Sequence, residues 1–198
     1  MDREEVARVL EAVLFASPEP VALGKLVELF APEGLGRQEV LDGLGALGEA
    51  LGGHALELRE VAGGYQLRTR AEYAPYLGRL EVPRPVRFSR AALETLAIVA
   101  YRQPVTRAEV EEIRGVDCGG VLKALLEKGL VRVVGKKDVP GRPLLYGTSR
   151  KFLEVFGLTS LADLPSLQEI EEMLGEEEVA GADGADPAAD AEGAPADG

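Results

Sequence analysis

The chain has 198 residues, of which 46% are apolar, a composition typical of an ordinary globular protein. The formal net charge is −12, but ten acidic and no basic residues lie from Glu171 onward, so residues 1–170 carry only −2. The low isoelectric point therefore says little about what the folded part binds. One cysteine, Cys118, excludes an internal disulfide. The longest uncharged apolar stretch, about 95–101, is too short to cross a membrane, and we expect a cytoplasmic protein.

Three helices are predicted in the first 51 residues. Apolar residues recur with helical spacing from Val6 to Leu14, Asp2 and Glu5 have the spacing of a capping box, and Ser17-Pro18 ends the first helix. A second helix is predicted over about 23–30 and a third over about 38–51. Together they predict a small helical bundle.

A β-hairpin follows these helices. Residues 55–61 alternate between apolar and charged side chains, Gly63-Gly64 is predicted to turn, and residues 65–68 form the returning strand. A short helix near 71–80 closes this half. The prolines of residues 82–85 predict an extended linker.

The second half repeats this order. Ser89 is predicted to cap a helix that ends at Gln103-Pro104, and Thr106 opens a capping box for a second, short helix. A third helix runs from about 117 to 129, followed by a strand over 130–134, a basic loop over 135–143 and a returning strand over 144–146. Helix, helix, helix, hairpin is the order of a winged helix.

The two halves also align residue by residue as a candidate internal repeat. Pro20-Val21 and Leu26 match Pro104-Val105 and Val110, and Thr69 and Tyr73 match Thr148 and Phe152. The alternative is that short apolar patterns align by chance. We predict an α+β, mainly α chain with two tandem winged-helix domains over 1–81 and 89–165, joined by a linker over 82–88. A terminal helix over 166–175 and a disordered acidic tail over 176–198 should follow.

Residues suited to catalysis are scarce. The single histidine, His54, follows two glycines and has no second histidine or cysteine with which to share a metal, so it is read as a turn residue. Cys118 lies at a predicted helix start, where its pKa could fall, but a packed cysteine is the more common case. The run 115–120 has glycines without the lysine and hydroxyl of a phosphate-binding loop. We predict no enzyme activity, no metal and no cofactor.

The distribution of charge limits DNA binding to the second module. Residues 1–83 hold 14 acidic and 8 basic residues, net −6, whereas residues 84–151 hold 7 acidic and 14 basic, net +7. The third helix of the second module begins with an acid and two glycines where base-reading side chains belong. Sequence-specific reading is therefore not expected. The basic loop either touches DNA weakly and without specificity or is simply solvated.

Long motifs of this chain resemble one known family, segregation and condensation protein B. The likeness is densest in IVAYRQPVTRAEVEEIRGV (98–116), GKKDVPGRPLLYGT (135–148) and the closing apolar segment 152–165, and LEAVLFAS (10–17) resembles the family's start. The run 118–120 departs from the small polar residues usual in the family. Motifs this long are highly specific.

The resemblance implies a non-catalytic subunit of the condensin-like complex of SMC and a kleisin, acting in chromosome condensation and segregation. It implies a homodimer formed largely through the N-terminal domains and binding of the kleisin, segregation and condensation protein A, largely through the C-terminal domains. SMC is then reached through the kleisin, and the protein is nucleoid-associated only through the complex. The rival interpretation is a tandem winged-helix transcription regulator, which needs polar reading groups on its third helices.

Two sets of residues are candidates for these contacts. Apolar side chains of the first module that a symmetric partner could cover are Phe15, Leu29, Phe30 and Leu35. Candidate partner-binding residues of the second module, chosen as an aromatic anchor with polar neighbours and a basic loop, are Tyr101, Arg102, Gln103, Arg107, Asp138, Arg142 and Pro143. The alternative is that Tyr101 belongs to the core and Arg142 merely holds its own loop.

Overall fold

The computed structural model describes residues 1–80, 88–166 and 168–169. The chain forms two compact units, Met1–Asp163 and Leu164–Gly198. Both predicted winged-helix domains lie almost entirely in the first unit. The predicted acidic tail, and nearly all of the predicted linker, lie outside the described residues.

The first module contains three helices followed by a hairpin and a short helix. Their bounds are α1 (Arg3–Ala16), α2 (Leu23–Leu29), α3 (Arg37–Ala50), β1 (Leu56–Val61), β2 (Gly64–Thr69) and α4 (Ala74–Leu77). The predicted capping box is present, since the Asp2 side chain accepts from Glu5 N at 2.8 Å while Glu5 Oε2 accepts from Asp2 N at 2.9 Å. The three helices predicted from capping and helical periodicity are therefore present.

The second module has the same order with one strand added. Its elements are α5 (Arg90–Arg102), β3 (Val105–Thr106), α6 (Arg107–Arg114), α7 (Gly119–Glu127), β4 (Val131–Lys136), β5 (Leu144–Thr148) and α8 (Arg150–Phe156). Strands β3, β5 and β4 form a three-stranded antiparallel sheet in that order. The predicted loop over 135–143 is too long by two residues, because Gly135 and Lys136 pair with Leu145 and Leu144 in the ladder.

The core of the first module lies between α1 and α3. Leu10 and Leu14 of α1 and Val40 and Leu47 of α3 are at most 2% exposed there and recur with helical spacing, and Leu26 of α2 is buried against them. Gly43 makes the close approach of the two helices feasible. A Cβ built at Gly43 would lie 2.4 Å from Val6 Cγ1.

The turn of the first hairpin lies one residue earlier than predicted. Val61 pairs with Gly64, so the two-residue turn is Ala62-Gly63, with φ of 52° and 66°, and Gly64 already belongs to β2. Positive φ at both central residues is the type I′ pattern that matches strand twist. Gly64 is required for another reason, since a Cβ there would lie 2.8 Å from the carbonyl carbon and oxygen of Val21.

Equivalent contacts support the internal repeat. Val21 bridges to Tyr65 in the first module, and Val105 pairs with Tyr146 in the second. The matched residues Leu26 and Val110 are both fully buried in their second helices. The chain is therefore mainly helical with small antiparallel sheets, and it contains the winged-helix order twice.

The second unit begins with a helix start. Ser166 N donates to Glu169 Oε2 at 2.6 Å, and Glu169 N donates to Ser166 Oγ at 3.2 Å. These reciprocal bonds are a capping box at the point where the terminal helix over 166–175 is predicted to begin. Residues 170–175 lie outside the described part of the chain.

Candidate protein-interaction surfaces

Neither residue considered for catalysis lies in a reactive setting. His54 is exposed in the bend before β1, as predicted, and its carbonyl accepts from Arg70 Nε at 2.8 Å. Cys118 is fully buried, and burial, followed by the charge of Glu111, raises the pKa of its thiol. Among the described residues, no three His, Cys, Asp or Glu side chains are grouped to hold a metal ion. No described helix is both long and apolar enough to span a bilayer.

Gln103 is committed to the inside of the second module. Its Oε1 accepts from Thr148 N at 2.9 Å, and its Nε2 donates to Thr148 Oγ1 and to Ala100 O, both at 3.0 Å. This amide therefore ties the end of α5 to the end of β5. The prediction that Gln103 offers its polar group to a partner is corrected, because the group is already paired.

Tyr101 and Arg102, the last two residues of α5, are surface residues. Tyr101 is 41% exposed, so the alternative that it belongs wholly to the core does not hold. Arg102 is exposed beside it. An exposed aromatic ring and a neighbouring exposed guanidinium therefore lie at this end of α5.

Arg107 is engaged in a local network at the start of α6. Its Nε donates to Glu111 Oε1 at 2.6 Å, and its Nη2 contacts Asp117 Oδ2. A Cβ at Gly119 would lie 2.6 Å from Arg107 Cζ, so the guanidinium packs on the backbone at the start of α7. The hydrogen bond from Arg107 lowers the pKa of Glu111. Arg107 therefore joins α6 to α7, a role that the sequence prediction did not assign to it.

The base of the second wing is fixed to α6 by one ion pair. Lys137 Nζ lies 2.6 Å from Glu109 Oε1, and Glu109 Oε2 accepts from Thr106 N at 2.7 Å. The hydrogen bond from Lys137, followed by those from Thr106, lowers the pKa of Glu109 to about 2. Lys137 N also donates to Pro143 O at 2.8 Å and so closes the loop. The loop between β4 and β5 is thus anchored at its base.

Arg142 lies at the exposed tip of this wing. Its backbone has a φ of 41°, and its N–H donates to Val139 O at 2.9 Å in a tight turn. Within the described ranges the guanidinium forms no ion pair, so the alternative that Arg142 holds its own loop finds no support in side-chain contacts. Asp138 is exposed in the same turn and Pro143 is half-buried.

The predicted residues form two groups rather than one site. Gln103 contacts Thr148, the last residue of β5, whereas the wing tip directly precedes Leu144, the first residue of β5. Four steps of an extended strand separate these ends by about 13 Å. Tyr101 and Arg102 accordingly belong to the end of the sheet opposite Asp138 and Arg142.

Exposed apolar side chains on the wing were missed from the sequence. Val133, Val134, Val139 and Leu144 are all large apolar residues at or above 39% exposure. Val134 also reaches the α5 end, since a Cβ at Gly147 would meet both Val134 Cγ1 at 3.0 Å and Gln103 Oε1 at 2.8 Å. The run VRVV could have signalled an exposed apolar edge.

The first module presents a separate apolar feature around Phe15. This ring is 78% exposed and borders a hollow of about 240 Å³ together with Leu56 and Leu67 of the hairpin. Leu29 is exposed and Leu35 is half-buried against the core. Phe30 is only 2% exposed, so its assignment to a dimer surface is corrected, because its side chain fills the core at the end of α2.

The third helices are poorly suited to reading bases. The exposed face of α3 carries Glu39, Asp42 and Glu49, and Arg3 Nη2 pairs with Glu49 at 3.1 Å. On α7, the exposed positions include Gly120 and Lys123. Major-groove recognition uses Arg, Asn, Gln or Lys near a helix start. Helix α3 has Arg37 and Gln38 there, but Gln38 Nε2 donates to Asp42 Oδ1 at 3.0 Å and the exposed acids of α3 oppose phosphate, while α7 begins with two glycines.

Comparison with known proteins gives one consistent match. The family model described as "Segregation and condensation complex subunit ScpB" matches residues 8–167. A protein named segregation and condensation protein B from Syntrophotalea carbinolica is 56% identical over 90% of this chain and 90% of its own length. The protein of that name from Moorella thermoacetica is 47% identical over 84% of this chain and 85% of its own length.

Solved structures give a related match. The crystal structure of ScpB from Mycobacterium tuberculosis is 38% identical, covers 80% of this chain and 99% of that chain, and has a TM-score of 0.37. A conserved hypothetical protein from Chlorobium tepidum is also 38% identical, covering 79% of this chain and 98% of its own, with a TM-score of 0.35.

Proposed function

Because the chain belongs to the ScpB family of segregation and condensation complex subunits, we propose that it dimerises through its first module and binds the kleisin subunit through its second. The protein is a non-catalytic subunit of that complex. The kleisin, segregation and condensation protein A, is the proposed direct partner, and SMC is reached through it. Association with the nucleoid then results from membership of the complex rather than from direct binding of this chain to DNA.

The observation that carries the kleisin proposal is the second wing. Its base is anchored by Lys137 and Glu109, while its tip presents Arg142 beside exposed Val139 and Leu144. The exposed apolar side chains of the wing can pack against apolar residues of a partner segment. The Arg142 guanidinium at the edge of that surface can donate two hydrogen bonds to a carboxylate or carbonyl of the same segment. Its rigidity also lowers the entropy lost on binding.

Reversal of one wing charge tests this proposal. Arg142→Glu should weaken capture of segregation and condensation protein A by about tenfold or more, because it removes a charged hydrogen-bond donor at the interface. Titration by calorimetry or surface plasmon resonance measures the affinity. Lys128→Glu, an exposed charge reversal at the end of α7, is the matched control and should bind normally.

The fold of the Arg142 variant needs its own measurement. An unchanged melting temperature and an unchanged dimer would place the effect at the interface. Normal capture by Arg142→Glu would contradict the role of the wing tip, and a large fall in melting temperature would show that Arg142 holds its own loop instead.

The dimer proposal rests on Phe15. An exposed ring beside a hollow lined by Leu56 and Leu67, with Arg8 and Glu11 also on its lining, provides on each copy the self-complementary pair that a twofold interface needs. Phe15→Asp should raise the dimer dissociation constant by about 100-fold, measured by sedimentation equilibrium. Leu93→Asp, an equally drastic change at an exposed leucine of α5, is the control. If Phe15→Asp left the dimer intact, or if only the control dissociated it, the assigned surface would be wrong.

A further inference from the structure

The tip of the first wing contacts the second module through its backbone. Ala62 N donates to Leu158 O at 2.8 Å, and Gly63 N donates to Thr159 O at 3.0 Å. These are the two central amides of the β1–β2 turn, which face solvent in a free hairpin. Here they pair with the segment that follows α8.

Four side-chain hydrogen bonds surround this backbone pair. Arg150, the first residue of α8, donates from Nε to Ala62 O at 3.0 Å and from Nη2 to Pro20 O at 3.2 Å. Thr159 Oγ1 donates to Glu60 O at 3.2 Å. In the other direction, Arg68 Nη2 of β2 donates to Glu154 O at 2.8 Å. Both modules therefore contribute donors and acceptors to one contact.

Each side of the contact is held in shape by its own module. Ala62 is buried despite its positive φ, and Gly64 lets the hairpin lie against the Val21 carbonyl. Across the contact, the Asp163 carboxylate accepts from Thr159 N at 2.7 Å and from Ser160 N at 3.0 Å, and these bonds lower its pKa. Preformed partners lose little entropy when they associate.

We propose that this contact is a latch that holds the two winged-helix modules in one fixed orientation and occupies the tip of the first wing, Ala62 and Gly63, so that this tip is not offered to external partners. The latch fixes the direction of the second wing relative to the surface around Phe15. All six of these hydrogen bonds end on backbone carbonyls, so the contact depends on the shape of the turn and loop rather than on charge pairing. The proposal is independent of which partner the second wing binds.

Amide hydrogen exchange on the full chain tests the latch directly. The amides of Ala62 and Gly63 should be protected in the wild type, and the double variant Arg150→Ala, Thr159→Val should accelerate their exchange by about tenfold or more. Lys151→Ala is the matched control, because Lys151 is the next residue of α8 and, among the residues that the structure describes, its Nζ bonds only the Glu154 carboxylate of its own helix, at 3.1 Å. Its exchange pattern should equal that of the wild type.

A distance measurement keeps the test decisive if the double variant folds poorly. Spin labels at Glu4→Cys in α1 and Lys123→Cys in α7, both exposed, report the separation of the modules, and the native Cys118 is buried. Labelled protein diluted in unlabelled protein should give one narrow distance distribution by pulsed electron paramagnetic resonance. A broad distribution, or wild-type Ala62 and Gly63 amides exchanging at the rate of a free turn, would overturn the latch.

Discussion

The ion pair between Glu109 and Lys137 makes the stability of the second module depend on pH. The pKa of Glu109 is about 2 in the folded chain, below its ordinary value of 4.5. A carboxyl whose folded pKa is depressed contributes stability above its unfolded pKa and loses that contribution as the pH falls through the folded value. The contribution is therefore complete near neutral pH and fades from about pH 4.5 to about pH 2.

Substitution of Glu109 checks this residue-scale account. Glu109→Gln keeps an acceptor for Thr106 but removes the charge, so its urea midpoint should fall below that of the wild type at neutral pH. The gap between the two should then close as the pH falls toward about 2. Glu112→Gln, an exposed neighbour on α6, should show no such gap. A Glu109→Gln deficit that is independent of pH would contradict the account.

At the scale of elements, two glycines of α3 should respond in opposite ways to a methyl group. Gly43→Ala puts a Cβ 2.4 Å from Val6 Cγ1, and overpacking of this kind costs about 1–3 kcal/mol. Gly48→Ala meets nothing within 4 Å and gains about 0.5–1 kcal/mol of helix propensity. Denaturant unfolding of both variants measures the two changes. Equal effects would show that α1 and α3 do not approach closely at Gly43.

The sequence predicted most elements because their signals are local. Capping boxes at Asp2 and Thr106 and the breaks at Ser17-Pro18 and Gln103-Pro104 mark helix ends within a few residues. The two-residue strand β3 is too short to have a periodicity, and it exists only because Val105 and Thr106 pair with β5.

The corrected sites depend on contacts distant in sequence. Leu29 and Phe30 are adjacent and both apolar, so only the packed helices decide that Phe30 is buried and Leu29 exposed. The pairing of Gln103 with Thr148 likewise joins residues 45 positions apart, and the bond from Arg107 to Asp117 joins α6 to the residues before α7, so neither contact could be read from the sequence. The contact between the first wing and the region of α8 joins residues 86 or more positions apart, and no local sequence pattern predicts such a pairing.

At the scale of the whole molecule, binding to duplex DNA separates the complex subunit from a transcription regulator. The acidic α3 and the glycines of α7 predict binding that is weak, independent of sequence and lost as salt rises. Fluorescence anisotropy with several unrelated duplexes over a salt series measures this. Tight binding that selects one sequence at physiological salt would favour the regulator.

The mass of the assembly formed with segregation and condensation protein A tests the central proposal most directly. If the first modules dimerise and the second modules bind the kleisin, native mass spectrometry of the co-purified complex should find at least two copies of this 21.0 kDa chain together with the kleisin. Phe15→Asp should reduce the number of copies, and Arg142→Glu should reduce the kleisin occupancy. A kleisin that does not co-purify, or one that carries a single copy of the wild-type chain at micromolar concentration, would contradict the account.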